Sequence, residues 1–202
     1  MKTSVHIGRK QVTNMTPAQR LAEKLGFPLN TLVTINFDHT DCAPEQVGTA
    51  FAKLRAYFGR WPGSAAARSG KKTPPTFEWV VENANSLAAH WLVHIPLGSK
   101  RDFKERLPVW LTRATGGITC PSAIDIRPAH HPKGLIKYLK KGVDPAYADH
   151  YRVTAIPQGL VHGKRCGFSQ NLGPAACRQQ RTYWTQIKQD RARNHANAHP
   201  AL

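Results

Sequence analysis

Acidic residues and long apolar runs are both scarce in this sequence, and each shortage narrows what the chain can be. Twelve Asp and Glu stand against 29 Lys and Arg, a formal net charge of +17. No stretch approaches the ~20 consecutive apolar residues of a membrane span. No basic helix carries the bulky apolar face of a membrane-surface binder, so no membrane partner is expected. The opening MKTSVHIGRKQVTNM lacks the apolar core of a secretory signal, which predicts a cytoplasmic protein. The four cysteines (Cys42, Cys120, Cys166 and Cys177) are scattered, with no CxxC pair. That argues against a zinc ribbon or a disulfide scaffold and fits reduced thiols. There is no internal repeat, no low-complexity run and no GxxxxGK[ST] nucleotide loop.

What is present reads as one core domain with polar ends: a basic N-terminal extension over 1–30, a core over 31–175 and a basic tail over 176–202. In the extension, TPAQRLAEKLG is a short helix with its start signal at Thr16-Pro17. TLVTINFDH (31–39) alternates and is rich in β-branched residues, so it is a strand. Residues 43–61 place Val47, Phe51, Leu54 and Phe58 at helical spacing. Residues 64–75 are a basic, proline-ended loop. TFEWVVEN (76–83) and LAAHWLVHIP (87–96) form a hairpin turning through Ala84, Asn85 and Ser86. A third helix spans 99–117 through Phe103, Leu107, Trp110 and Leu111, with Pro108 inside and Gly116-Gly117 as its stop. AIDIRP (123–128) is a strand, and HPKGLIKYLKKGVDP (131–145) a further helix ended by Gly142.

The order β-α-β-β-α-β predicts an α+β, ferredoxin-like palm: a four- to five-stranded antiparallel sheet with helices on one face, an extra Tyr-bearing helix and a basic C-terminal tail. GKRCGFS makes a further strand or a glycine-bent loop at the palm edge. The tail is partly helical from 174 to about 192 and frayed after that, by its composition. Trp61, Trp79, Trp91 and Trp110 belong to the core rather than to base stacking, and His130-His131 to the start of the Tyr138 helix.

Two constellations carry chemistry. Along the second hairpin strand Ala88, His90, Leu92 and His94 share one face, as Glu78, Val80 and Glu82 do on its partner. Carboxylate beside imidazole is a donor set for a divalent cation; hydrogen-bonded strand histidines are the plainer alternative. The second is KGLIKYLKKG, where Tyr138 and Lys141 stand three apart on one helix face. A phenol, with an ordinary pKa near ~10, needs a nearby cation to attack a phosphodiester at neutral pH. The plainer alternative packs Tyr138 on the sheet beside Leu135 and Leu139.

Taken together, FEWVVEN, HWLVHIP, YLKKG and GKRCGFS, in that order over about residues 31–175, resemble the HUH endonucleases, the rolling-circle replication initiators and relaxases. The likeness is greatest to small replication-type proteins of plasmids and phage-like elements. The resemblance implies a nickase acting on single-stranded or hairpin DNA with a divalent metal, Mg²⁺ or Mn²⁺. Tyr138 would form a 5′-phosphotyrosyl link and free a 3′-hydroxyl, and Lys141 would steady the phosphate or phenolate. His90 matches the second histidine of the motif and Glu82 its acidic ligand.

The first motif histidine falls at Ala88, which cannot bind metal. His94 is four residues of strand from His90, about 13 Å, so His39 is the better replacement ligand. The alternative is a catalytically inactive, regulatory DNA-binding protein on the same fold. A ferredoxin-like RNA binder would also explain the charge, but the strands lack its glycine-aromatic signature. Expected phosphate contacts are Lys71, Lys72, Lys100, Arg101, Lys140, Lys164 and Arg165, with Lys164 and Arg165 foremost; each basic pair has a solvated surface role as its alternative. Any unwinding would come from a host helicase.

Overall fold

In the computed structural model, residues 2–61 and 74–198 are described. Lys71, Lys72 and most of the 64–75 loop therefore lie outside the described residues.

The runs FEWVVEN and LAAHWLV pair as β3 (Phe77–Asn83) and β4 (Leu87–Val93), with Trp79 opposite Trp91 and Val80 opposite His90. β2 (Thr31–Asn36) lies on the other side of β4, with Thr34 opposite His90. β5 (Ile124–Pro128) pairs outside β2, and β7 (Cys166–Phe168) outside β3. The result is a five-stranded sheet of order β5-β2-β4-β3-β7, antiparallel throughout, in an α+β chain. A separate two-stranded ribbon joins β1 (Thr3–Ser4) to β6 (Val161–His162).

Helices cover both faces of the sheet, not one as the element order suggested. On one face Val33, Ile35, Trp79, Val81, Trp91 and Val93 meet α2 (Val47–Arg60) and α3 (Lys100–Thr115). Phe58 and Phe51 stand edge-on to Trp91 at 5.0 and 5.7 Å between ring centroids, each such pair contributing ~0.5–1.5 kcal/mol beyond its buried area. On the other face Val80 and Leu92 meet Val12, Met15, Ala18 and Leu21 of α1 (Arg9–Lys24) and Ile136 and Leu139 of α4 (Pro132–Leu139). The near-continuous apolar composition of β4 explains this, because a strand buried on both sides loses the polar alternation of a one-sided sheet.

Pro17 lies inside α1 rather than at its start. Val12 and Met15 are fully buried, and their apolar face carries the helix a further two turns upstream. Residues 1–30 thus contribute a layer of the second core. The helix expected over 131–145 ends at Leu139 and continues as a single 3₁₀ turn, Lys140–Gly142, before a short α5 (Ala148–Tyr151). The last helix, α6, runs Pro174–Ala198, longer than its composition suggested. No helix of the described residues is long and apolar enough to cross a membrane.

A strap through residues 157–159 closes over the end of β3. Gly159 has φ of +64°, and a Cβ there would lie 1.7 Å from the Asn83 carbonyl oxygen, so only glycine allows the approach. The strap is pinned by Arg165, whose guanidinium donates to the carbonyls of Ser4, Gln158, Gly159 and Val81 at 2.5–3.5 Å. Its place in GKRCGFS suggests a DNA-facing surface for Arg165; instead it is 4 % exposed and spent on backbone carbonyls. Lys164, next to it, is exposed. Arg165→Met should therefore lower unfolding stability by at least about 2–3 kcal/mol, and Lys164→Ala should stay within ~0.5 kcal/mol, measured by urea denaturation. Unchanged stability in Arg165→Met would contradict the strap.

Candidate functional site

Alternation along β3 puts Glu78, Val80 and Glu82 on the face that meets α1 and α4, and the register sets Glu82 opposite Ala88. Glu82 then reaches diagonally across Ala88 to His90, a spacing that long side chains bridge on paired strands. The ring Nε2 of His90 and Oε1 of Glu82 share a hydrogen bond of 2.8 Å. From the other side Thr34 of β2 approaches His90 Nδ1 at 3.2 Å. Both ring nitrogens are thus engaged by neighbouring strands.

The chain leaving α4 closes the site from above. Lys141, in the 3₁₀ turn after Leu139, places Nζ 3.1 Å from Oε2 and 3.3 Å from Oε1 of Glu82. The same ammonium donates to Tyr138 Oη at 2.5 Å and lies 3.9 Å from the centre of that ring. Glu82, His90 and Lys141 are mostly buried, whereas Tyr138 is 52 % exposed, with its ring 6.2 Å from that of His90. The site is a phenol at the surface held by an ammonium, which rests on a carboxylate braced by an imidazole. Burial by itself would raise the Glu82 carboxyl, but the His90 hydrogen bond and the charges of His90 and Lys141 outweigh it and hold that carboxyl below the usual carboxylate range.

A divalent cation fits these residues poorly. Glu82 and His90 are bonded to each other, Lys141 sits on both carboxylate oxygens, and the position opposite Glu82 is the methyl of Ala88. Among the described residues no group of three or more His, Cys, Asp or Glu is placed to hold a metal ion. His39, expected to replace the missing ligand, has its Nδ1 2.8 Å from Ser122 Oγ, which in turn lies 2.9 Å from Cys120 Sγ. The strand ends at Asn36, and the 3₁₀ turn Phe37–His39 carries His39 to that separate cluster. His94 bonds the Pro28 carbonyl at 2.8 Å and packs edge-on to Phe27.

The basic residues divide into two groups. Lys100 and Lys164 are exposed, as is Arg101, which pairs with Glu105 one helical turn on. Lys140 turns inward and donates to Thr16 on α1 at 2.7 Å, so it braces α4 against α1 instead of facing a ligand. Thr34 and Glu78 were not singled out for the site by the spacing of residues. Thr34 could be found only once β2 was known to lie beside β4. Glu78 shares its face with Glu82 but is fully buried, and among the described residues neither carboxylate oxygen has a hydrogen-bond partner. Burial pushes its carboxyl well above the usual range, against the opposing charge of Lys140.

No protein-family model matches the chain, and no curated protein matches it in sequence. The reading of the site therefore rests on its geometry and on the resemblance of its motifs.

The two carboxyls predict opposite pH effects. The raised group keeps its proton in the folded state after the unfolded chain has lost it, so Glu78 erodes stability as pH rises above about 4.5. The lowered group stabilises above that range, and its contribution disappears as pH falls through its folded pKa. Glu78→Gln should raise the melting temperature at pH 8 with little effect at pH 4, whereas Glu82→Gln should lower it at pH 8. Thermal melts across that range check both signs.

Proposed function

We propose that this chain is a DNA-binding protein in which Tyr138 breaks and rejoins one strand of single-stranded or hairpin DNA, serving replication or mobilisation of a plasmid or phage-like element. The observation that carries the reading is the half-exposed Tyr138 hydroxyl held by Lys141, which is itself seated on the Glu82–His90 pair. Four side chains that the motifs of HUH endonucleases single out thus come together from two strands and a helix end. The strand order β5-β2-β4-β3 supports the finer reading of the fold as a ferredoxin-like palm, since β2 and β3 run parallel with β4 inserted between them. The net charge of +17 favours a polyanionic partner, and Lys100, Arg101 and Lys164 are the exposed cations best placed among the expected contacts to meet phosphate.

In the reaction the Tyr138 Oη–phosphorus bond forms and the phosphorus–O3′ bond breaks, leaving a 5′-phosphotyrosyl link and a free 3′-hydroxyl. The link conserves the phosphodiester energy, so the 3′-hydroxyl of a second strand end can reverse the step and rejoin the DNA. A second reading is favoured by Ala88: a non-cleaving regulator that keeps the DNA-binding surface.

Incubating the protein with a pool of labelled single-stranded hairpin DNAs should give a covalent protein–DNA adduct that is abolished in Tyr138→Phe, read on a denaturing gel. Salt-sensitive DNA binding with no adduct would establish the regulator instead. Neither adduct nor salt-sensitive binding would overturn both readings.

A further inference from the structure

We infer that the Lys141 ammonium supplies at this site the positive charge that a divalent cation supplies in metal-dependent phosphodiester chemistry, so that strand transfer by Tyr138 proceeds without a metal. This rests on the strand-transfer reading above and specifies how the site performs it.

The donor set points this way at each position. Both Glu82 oxygens already lie within 3.3 Å of Lys141 Nζ, so a cation on that carboxylate would have to displace a mostly buried ammonium or sit beside it against like-charge repulsion. His90 has Nε2 on Glu82 and Nδ1 on Thr34, which leaves neither nitrogen free without rearrangement of the strands. The place across from Glu82 holds a buried methyl, Ala88. His39 and His94 are held by Ser122 and Pro28.

Nζ also contacts the atom that would react. It bridges Tyr138 Oη and the carboxylate, so one group neutralises Glu82 and stabilises negative charge on the phenol oxygen and on a phosphate drawn up to it. A cation fixed in a partly desolvated site before reaction stabilises developing charge with little reorganisation. The step balances without a further reactant. Oη gives up its proton as the Oη–phosphorus bond forms, the departing O3′ takes up a proton, and Lys141 stays an ammonium throughout.

The test uses the full chain with the hairpin DNA pool, in excess EDTA and in excess Mn²⁺, beside calorimetric titration of the DNA-free protein with Mn²⁺. Adduct should form at the same rate in both conditions, and Mn²⁺ should give no binding heat that depends on Glu82. Lys141→Ala should slow adduct formation by about 10²–10³-fold, with partial recovery in Lys141→Arg. The double variant Ala88→His/Lys141→Ala should gain Glu82-dependent Mn²⁺ binding, a readout that a merely structural lysine would not move.

Adduct that disappears in EDTA and returns with Mn²⁺ overturns the inference and leaves the strand-transfer reading standing. So does Mn²⁺ heat in the wild-type protein that Glu82→Gln removes. Absence of adduct in both conditions overturns the strand-transfer reading itself, and the inference with it.

Discussion

Because Trp79 lies opposite Trp91 in the β3–β4 hairpin, Val80 faces His90 and Glu82 faces Ala88, and the Glu82–His90 contact on which Lys141 rests follows from that alignment. A slip of one residue would send Glu82 and His90 into the layer of α2 and α3 and bring tryptophans to the other side. The aromatic packing of Phe51 and Phe58 against Trp91 makes such a slip costly. Core packing on one face of the sheet thereby fixes the chemistry on the other.

Burial on the second face then separates residues that the sequence treats alike. Glu78 and Glu82 are four apart on one strand face, yet the first is fully buried, while the second meets His90 and Lys141 at the margin. The inner carboxyl is held above its ordinary range and the outer one below it. Lys140 and Lys141 divide in the same manner, one bracing α1 through Thr16 and the other crossing to Glu82. The tight 3₁₀ turn after α4 points the two successive side chains in different directions.

The site gathers its charge from a small number of partly buried groups, although the chain as a whole carries +17. Exposed cations draw in a polyanion over distances set by ionic screening. Lys141 acts at contact range, where low exposure strengthens each interaction. Arg165 shows the opposite use of a cation: enclosed by four carbonyls, it secures the strap beside β3.

Periodicity alone determined β2 to β5, the hairpin, α2, α3 and the order of those elements, because alternation and helical spacing are local properties of the chain. It likewise put Glu78 and Glu82 on the strand face beside that of His90, and Tyr138 near Lys141, since each placement depends on one hairpin or one helical turn. Tertiary structure decided which pairs meet: Lys141 on Glu82, Thr34 on His90, His39 with Ser122, and Arg165 inside instead of at the surface. It also decided that the N-terminal segment forms a layer of the core, because an apolar helix face seen in sequence does not reveal what it will cover. Those outcomes depend on contacts between residues far apart in the chain, set by how two helical layers enclose the sheet, and no local pattern carries them.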